Sequence, residues 1–319
     1  PPPDRTTRNH TIELIPGAVL PQCKGYDVPK ALENVMDAKI KELVASYVLR
    51  RAEGNPRAVS PGFLVNSGRK PRFVGDYRRL NDATVLRAQD IPTVQSRLDL
   101  LARAVWFTLM DCITGFHQQK IRVEDQDLTL ATACGRFSYN VTAMGLKNAP
   151  TDFQRAVEAP LRSTGGFDLW VFNYLDDLLV FTATEDEHSV RLREVLTALN
   201  IDLWLISAEK IQVGVRRIHL LGHWVQGGAV HPDPDYIKKV YDLPSPDVLP
   251  NKIKGLQCLL GLFGYYRRFI PDFSSLAAPL TRLLRKDTPW TWGPTEELSR
   301  KILSERLQDA IDKDASVCP

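Results

Sequence analysis

The sequence of 319 residues lacks three features that would place it in a specialised class of protein. Its five cysteines are scattered, odd in number and never in a C-x-x-C pair, which argues against a zinc site or disulfide framework and favours a reducing compartment. No apolar run approaches the ~18 residues of a membrane span, and no signal peptide is recognisable. The net charge is only +3, so the distribution of charge says more than its sum. Since the chain begins PPPDRTT without a methionine, we expect it to be a segment of a longer protein.

Two adjacent acids interrupt the apolar stretch WVFNYLDDLLVF at residues 170–181. Two carboxylates about 5 Å apart repel each other by roughly 3 kcal/mol at an effective dielectric constant of ~20, and partial burial adds a desolvation cost. Such a pair is tolerated at the solvated tip of a turn or around a bound divalent cation. The local pattern leaves both interpretations of Asp176 and Asp177 open.

The periodicity of apolar residues predicts an α+β fold. Strands are predicted at VWFTLM, HQQKIRV and RFSYNV, and a hairpin is predicted from SPGFLV and PRFVG. Helices are predicted after Pro29, after Pro92 and after AMGLKNAP, where Pro160 is expected to kink or stop the helix. A further helix should begin at the capping box Thr184–Glu187, and the last 80 or so residues should be mostly helical. Helices between hairpin-linked strands favour an antiparallel sheet with helices on one face.

Three carboxylates converge if two of these strands are neighbours. The strand VWFTLM ends at Asp111, and Asp176 and Asp177 form the tip of the WVFNYLDDLLVF hairpin. Three acids at one sheet edge suit a two-metal phosphoryl-transfer site, for which polymerases are themselves a standard example. Mg²⁺ prefers such hard oxygen ligands, completed by water and substrate phosphates.

Five motifs carry a resemblance to one family. In order, they are FTLMDCITGFHQQKI, MGLKNAPTDFQ, YLDD, SAEKIQ and LLGHWV, and this series resembles the successive motifs of retroviral-type reverse transcriptases. EDEH after the YLDD strand and FGYYRRFIPDFSSLAAPLTRLLRK are similar to the gypsy-type (Metaviridae) branch of long-terminal-repeat retrotransposons. YLDD alone is unspecific, whereas five motifs in order at family spacing are highly specific. The resemblance extends from about Pro1 to Trp292.

The resemblance implies a right-hand polymerase with fingers, a palm and a helical thumb. The implied parts are the N-terminal arm and fingers at 1–85, palm at 86–116, fingers at 117–150, palm with the YLDD hairpin and primer grip at 151–231, thumb at 232–286, and the start of a connection segment at 287–319. The palm is expected to hold an antiparallel sheet with helices on one face.

The resemblance assigns the metal-binding acids to Asp111, Asp176 and Asp177, with the Cys112 carbonyl completing the coordination of one metal. It implies two Mg²⁺ ions, for which Mn²⁺ is a substitute. Lys210 in SAEKIQ matches the lysine that protonates the departing pyrophosphate. The alternative interpretation of Lys210 is a solvated surface lysine.

The motif around Asp111 also implies contacts to the incoming nucleotide. Phe116, five residues later, matches the aromatic steric gate, whose ring under the sugar leaves no room for a 2′-hydroxyl. The alternative is a core phenylalanine. The amides of Thr114 and Gly115 are expected to face the triphosphate, because glycine allows close backbone approach.

Three further positions match nucleotide-binding residues of the family. Arg72 matches the fingers arginine that pairs with the triphosphate, a bidentate role, and its alternative is a solvated hairpin charge. Gly145 matches the glycine beside the forming base pair, and Met144, where relatives have Gln or Phe, is interpreted as an apolar floor. The family's lysine-rich VKKKDG is replaced by the shorter VNSGRKP, in which Arg69 or Lys70 is expected to substitute. Nucleotide affinity is the property that this departure affects.

The C-terminal third matches two nucleic-acid contacts of the family. Leu221, Gly222 and His223 match the primer-grip hairpin, which positions the primer 3′ end. Residues 251–286 contain seven basic residues against one acid, interleaved with aromatic residues, which fits a thumb that holds the phosphate backbone. The alternative is a solvated basic face with core aromatics. The residues expected to contact the backbone are Lys252, Lys254, Arg267 and Arg268.

The function implied is RNA- and DNA-directed DNA polymerisation by an LTR-retrotransposon reverse transcriptase. The expected partners are an RNA or DNA template with its primer, dNTPs, a second copy of the chain, or ribonuclease H and integrase parts of a parent polyprotein, and no membrane. The expected location is the cytoplasm, within virus-like particles, or the nucleus. Two alternatives stay open: a catalytically impaired remnant that binds nucleic acid, and an RNA-templated RNA polymerase, against which Phe116 argues.

Overall fold

The computed structural model describes residues 2, 9–65, 71–88 and 91–315, with the backbone alone described at 241 and 311–315. Arg69 and Lys70, expected to contribute to triphosphate binding, lie outside the described residues. The chain divides into two compact units, one of residues 1–100 and 106–215 and the other of residues 101–105 and 216–319. Within the described part of the chain, no helix combines the length and apolarity needed to cross a membrane.

The first unit contains two sheets and the helices that cover them. Its strands are β1 (Leu49–Arg51), β2 (Val59–Val65), β3 (Arg72–Gly75), β4 (Trp106–Asp111), β5 (Leu130–Thr132), β6 (Arg136–Tyr139), β7 (Val171–Tyr174), β8 (Asp177–Thr182) and β9 (Gln212–Val215). Its α-helices are α1 (Lys30–Ala45), α2 (Arg78–Asp82), α3 (Val94–Asp99), α4 (Ala149–Ser163) and α5 (Glu185–Ile201), with 3₁₀ turns at Gly115–Gln118 and Val123–Leu128.

The four-stranded sheet runs in the order β7–β8–β4–β9, and all of its neighbouring strands are antiparallel. Helices α4 and α5 pack against it, because α4 presents Phe153, Val157 and Leu161 at steps of four and buries all three completely. Each such burial contributes roughly 1.5–3 kcal/mol. Pro160 does not stop α4 at once, since the helix continues to Ser163 and the missing amide falls in its last turns.

The five-stranded sheet runs in the order β1–β6–β5–β2–β3 and is antiparallel except for the parallel pair β2–β5. The predicted hairpin of SPGFLV and PRFVG is confirmed as β2 and β3, in register from Gly62–Gly75 to Val65–Arg72. Helix α1 contributes Met36, Ile40 and Leu43 to the core beside this sheet.

The strand predicted at HQQKIRV is wrong. The segment continues from a 3₁₀ turn and makes isolated bridges, one from Lys120 and one from Ile121. Gln118 is the last residue of the Gly115–Gln118 3₁₀ turn, and the side chains of Gln118 and Gln119 are both buried. Their amides donate to backbone carbonyls, including that of Ile113, and so replace the hydrogen bonds of a sheet.

The second unit begins with a three-stranded antiparallel meander and continues as helices, which confirms the predicted helical C-terminal region. The strands are β10 (Arg217–Leu220), β11 (His223–Gln226) and β12 (Ala229–Pro232). The α-helices are α6 (Pro234–Tyr241), α7 (Lys252–Tyr265), α8 (Phe273–Arg282) and α9 (Pro294–Ala315), with 3₁₀ turns at Pro246–Val248 and Arg267–Phe269. One apolar core joins α6, α7, α8 and α9.

Candidate active site

Three carboxylates meet at one edge of the four-stranded sheet, as expected. Asp111, the last residue of β4, is the direct antiparallel partner of Asp177, the first residue of β8. Asp176 lies in the two-residue turn between β7 and β8. Asp111 and Asp177 are half-buried, and Asp176 is exposed. The strand register therefore places one acid on β4 and two on the hairpin within reach of one bound ligand.

The electrostatics of this edge reflect the crowding of its acids. Partial burial of the carboxyl group, followed by the charge of Asp111, raises the pKa of Asp176, whereas Lys210 opposes the shift. Lys210 Nζ contacts the Asp111 carboxylate directly. Lys210 reaches this position because the segment before it is attached to the end of β4, where Ser207 N donates to the Asp111 carbonyl at 2.9 Å.

Gly115 explains how an exposed carboxyl group is also partly desolvated. A Cβ atom at Gly115 would lie 2.0 Å from Asp176 Oδ1, so the oxygen occupies the space that any side chain would need. The preceding Thr114 is in the left-handed region with a φ of 48°, which turns the backbone toward the acids. Gly115 N donates to the Cys112 carbonyl at 3.3 Å, so the amide expected at the triphosphate and the carbonyl expected at a metal bond each other.

The three acids do not by themselves enclose a metal ion. Among the side chains that the structure describes, no group of three His, Cys, Asp or Glu residues is arranged to hold one. Mg²⁺ sites that act on phosphates use one or two carboxylates and complete the coordination with substrate oxygens and water. The partly exposed Asp111, Asp176 and Asp177 fit this kind of site in donor chemistry and placement.

Phe116 combines features of both interpretations that its position allowed. Its ring packs edge-to-face on Phe153, with ring centroids 5.2 Å apart, and it extends the core below the sheet. The side chain nevertheless remains partly exposed on the Gly115–Gln118 turn, next to the acids in sequence. Packing from below fixes the ring without burying it.

A buried glutamine that sequence reasoning missed holds the acidic turn. Leu175, the first residue of the turn, has a φ of 54°, a conformation that leucine rarely adopts. Gln154 Oε1 accepts from Leu175 N at 2.7 Å, and Gln154 Nε2 donates to the Asn173 carbonyl at 3.0 Å and to Glu158 at 2.9 Å. Gln154 is 1% exposed, so both of its polar atoms are used without competition from solvent.

The loop of Met144 and Gly145 is fixed by a second residue that the sequence did not indicate. Asn81 Nδ2 donates to the Gly145 carbonyl at 2.8 Å, and Asn81 Oδ1 accepts from Lys147 N at 2.9 Å. Gly145 has a φ of 91°, which favours glycine, and Met144 is 38% exposed. Arg72, at the start of β3, is exposed.

The predicted primer-grip residues lie at the turn between β10 and β11 in the second unit, and His223 is the first residue of β11. Leu221 and Gly222 are the two loop residues, since Leu220 pairs with His223. His223 is buried, and its Nδ1 lies 2.7 Å from the Leu221 carbonyl. Because a carbonyl only accepts, Nδ1 carries the proton, and burial lowers the pKa of His223.

The residues predicted to bind the nucleic-acid backbone are exposed on and after α7. Two basic residues of the stretch 251–286 are paired with acids that lie outside this stretch. Lys252 Nζ pairs with Asp247 at 2.8 Å, and Arg282 pairs with Glu296 at 3.4 Å. Both acids lie outside the counted stretch. The other bases expected at the backbone, Lys254, Arg267 and Arg268, are exposed.

Comparison with known proteins identifies the family of this chain. Residues 66–225 match the family described as reverse transcriptase (RNA-dependent DNA polymerase). The chain belongs to the reverse transcriptase family. The matched part of this reverse transcriptase includes Arg72, the three acids and the Leu221–Gly222 turn.

Retrotransposon and viral polyproteins are among its relatives. The chain is 32% identical over 269 residues to the retrovirus-related Pol polyprotein from transposon opus of Drosophila melanogaster, covering 82% of this chain and 26% of that protein. It is 31% identical over 298 residues to the Pol polyprotein from transposon 297 of the same organism, covering 91% and 27%. The enzymatic polyprotein of cauliflower mosaic virus is 31% identical over 278 residues, covering 85% and 40%. This reverse transcriptase therefore spans about a quarter to two fifths of the relatives it matches.

Solved structures confirm the expected right-hand polymerase fold. The foamy viral protease–reverse transcriptase dRH in complex with double-stranded DNA superposes with a TM-score of 0.81 at 24% identity, covering 95% of this chain and 52% of that one. The foamy viral protease–reverse transcriptase in complex with an RNA/DNA hybrid gives a TM-score of 0.76 at 23% identity, covering 95% and 40%. The division into fingers, palm and thumb at particular residues stays a prediction.

Proposed function

We propose that this chain is the polymerase part of a gypsy-type LTR-retrotransposon polyprotein and extends a primer 3′-hydroxyl with dNTPs on RNA and DNA templates. The observation that carries the proposal is the register of Asp111 with Asp177, beside Asp176 in the adjoining turn. Acids at one sheet edge can hold the divalent ions that position and neutralise the oxygens of a phosphoryl transfer. The motifs EDEH and FGYYRRFIPDF support the gypsy-type branch.

The chain's own residues would hold two Mg²⁺ ions, or Mn²⁺ as a substitute, through Asp111, Asp176 and Asp177, with the Cys112 carbonyl as a further oxygen donor. When bound, such ions supply positive charge to the oxygens of the transferred phosphate. Lys210 lies at the same acids, where its exposed ammonium group can hold a proton for the departing pyrophosphate.

The nucleotide would be placed by the residues around these acids. Phe116, fixed from below by Phe153, is the proposed gate against a 2′-hydroxyl. The backbone at Thr114 and Gly115 faces the triphosphate in this proposal, and Arg72 pairs with it. The loop of Gly145, with Met144 as its apolar floor, supports the forming base pair. Positioning and charge neutralisation then account for most of the catalysis.

The proposed partners follow the relatives. The similar foamy viral proteins were solved with double-stranded DNA and with an RNA/DNA hybrid, which supports a primer–template duplex as the partner here. In this proposal Leu221, Gly222 and His223 position the primer, and the exposed side chains of Lys254, Arg267 and Arg268 contact its phosphate backbone. We further propose association with ribonuclease H and integrase parts of the parent polyprotein or with a second copy, in virus-like particles of the cytoplasm or in the nucleus.

Primer extension with Mg²⁺ tests the proposal. A labelled primer on RNA and on DNA templates is offered dNTPs or NTPs, and duplex affinity is measured in parallel. Asp176→Asn should reduce dNTP incorporation by a factor of about 10³ while duplex binding stays within a few-fold. The matched control Asp186→Asn changes an exposed acid at the start of α5, beyond the opposite end of β8, and should act as wild type.

Each outcome separates one alternative. Incorporation of NTPs would indicate an RNA polymerase, and duplex binding without any incorporation would indicate a remnant that only binds nucleic acid. Unchanged incorporation by Asp176→Asn would overturn the assignment of the acids.

A further inference from the structure

Two consecutive tyrosines at the end of α7 hold the turn between β10 and β11. Tyr265 Oη donates to the Leu221 carbonyl at 2.6 Å, and Tyr266 Oη donates to the Gly222 carbonyl at 2.9 Å. The Leu221 carbonyl also accepts from His223 Nδ1 at 2.7 Å. Both carbonyls of the two-residue loop are therefore bound to side chains, and two of these three bonds come from a different element.

The backbone of this turn needs support from outside. Leu221 has a φ of 47° and Gly222 a φ of 65°, so both loop residues are left-handed, as a type I′ turn requires. Glycine adopts this conformation freely, but a leucine Cβ is crowded by its own backbone there. Hydrogen bonds from Tyr265 and Tyr266 favour this conformation of the loop over relaxed ones.

Ring packing adds a second attachment. The His223 ring lies 5.3 Å from Tyr265, 5.2 Å from Tyr266 and 5.8 Å from Phe269, measured between ring centroids. Tyr266 and His223 are both buried, so these contacts are shielded from water. Phe269 belongs to the short 3₁₀ turn that also carries the exposed Arg267 and Arg268.

We propose that Tyr265 and Tyr266 are positioning residues that lock the Leu221–Gly222 turn to the end of α7. The turn and the exposed Arg267 and Arg268 then form one rigid piece. This inference rests on the proposed function, in which the turn positions the primer 3′ end and the arginines hold the phosphate backbone. The contacts of the two arginines with the phosphate backbone then determine the position of the primer 3′ end relative to the turn.

The lock is tested first in the free protein by hydrogen exchange of the peptide 217–226. Tyr265→Phe and Tyr266→Phe remove one hydroxyl each and keep the rings, so the core packing is retained. A neutral hydrogen bond changes an opening equilibrium by a factor of about five. Each single variant should therefore exchange about fivefold faster and the double variant about 25-fold faster. Tyr236→Phe makes the same change at a 42% exposed residue of the same unit and keeps the ring that packs on Tyr266, so it should exchange as wild type.

If the double variant exchanged at the wild-type rate, the proposal that the two tyrosines hold the turn would be refuted. Thermal melting checks whether each variant is folded. If the variant at the buried Tyr266 is unstable, Tyr265→Phe, at a 41% exposed residue, still tests the proposal.

The functional consequence is tested by single-turnover incorporation of one dNTP. At saturating duplex, the double variant should incorporate the dNTP at least about tenfold more slowly than wild type, because the primer 3′ end is misplaced. Its duplex Kd should stay within about twofold, because the arginine contacts with the phosphate backbone remain. A variant whose turn exchanges faster but which incorporates dNTP at the wild-type rate would refute the positioning role. An inactive wild-type chain would refute the proposed function instead, and hydrogen exchange would still decide whether the lock exists.

Discussion

Gly115→Ala should displace the carboxylate of Asp176 without destabilising the fold. The new Cβ would lie 2.0 Å from Asp176 Oδ1, whereas an ordinary contact of this kind is at least 3.4 Å. The carboxylate must therefore move by about 1 Å or more. Asp176 Oδ1 is the end of a flexible side chain, and Phe153 Cζ, at 3.3 Å from the new Cβ, needs to yield by only a few tenths of an ångström. Because the φ of Gly115 is not positive, the backbone can accept alanine. The fold should be retained while the carboxylate is displaced.

The displacement is large on the scale of catalysis. A reacting group misplaced by about 1 Å can cost about a hundredfold in rate. We expect kcat for dNTP incorporation to fall by about 10², with duplex Kd and Tm close to wild type. Single-turnover primer extension, duplex titration and thermal melting measure these three quantities on the same preparation.

Gly261→Ala is the matched control, because the same methyl group at that exposed position of α7 meets no atom within 4 Å. It should preserve kcat and slightly raise the free energy of unfolding, since alanine favours a helix over glycine by about 1 kcal/mol. A wild-type kcat for Gly115→Ala would show that Asp176 acts from a position other than the one in this structure, which would refute the prediction.

Two further predictions concern Gln154 and His117 of the first unit. Gln154→Leu removes the acceptor of Leu175 N and should lower kcat about tenfold at unchanged duplex Kd. Primer extension and duplex titration measure both, and a wild-type kcat would show that this hydrogen bond does not hold the turn. Burial lowers the pKa of His117 from 6.5 to about 4, so the unfolded chain binds its proton first as the pH falls. The associated stability is complete above pH 6.5 and is lost toward pH 4, by about 3 kcal/mol. Urea unfolding at both pH values measures this loss, which should be absent in His117→Gln; an equal loss in that variant would assign the pH dependence to other groups.

The sequence predicted the site's acids because their placement follows from strand ends. A strand that ends at Asp111 and a hairpin with Asp176 at its tip can bring their acids together wherever the two strands pair. The apolar face of α4 was equally readable, since residues four apart share one side of a helix. In both cases the signal is local and periodic.

Residues that position the site were not readable in the same way. Gln154, Asn81 and Tyr265 act by bonding backbone groups that are 21, 64 and 44 residues away in sequence. A polar side chain has many backbone groups to choose from, and no period identifies the partner. The same limit applies to charge, because Lys252 is paired with an acid just outside the stretch that was counted.

The turns that begin at Leu175 and Leu221 share one feature. Leu175 and Leu221 each open a two-residue loop in a left-handed conformation that costs leucine roughly 1–2 kcal/mol. Each loop is bound by a side chain from a neighbouring helix, Gln154 in one unit and Tyr265 in the other. Strained backbone of this kind persists where the surroundings over-determine it, and it tends to occur at functional sites. A relaxed loop with glycine at the first position would have no need of either helix, so the strain makes the geometry of each turn depend on the element beside it.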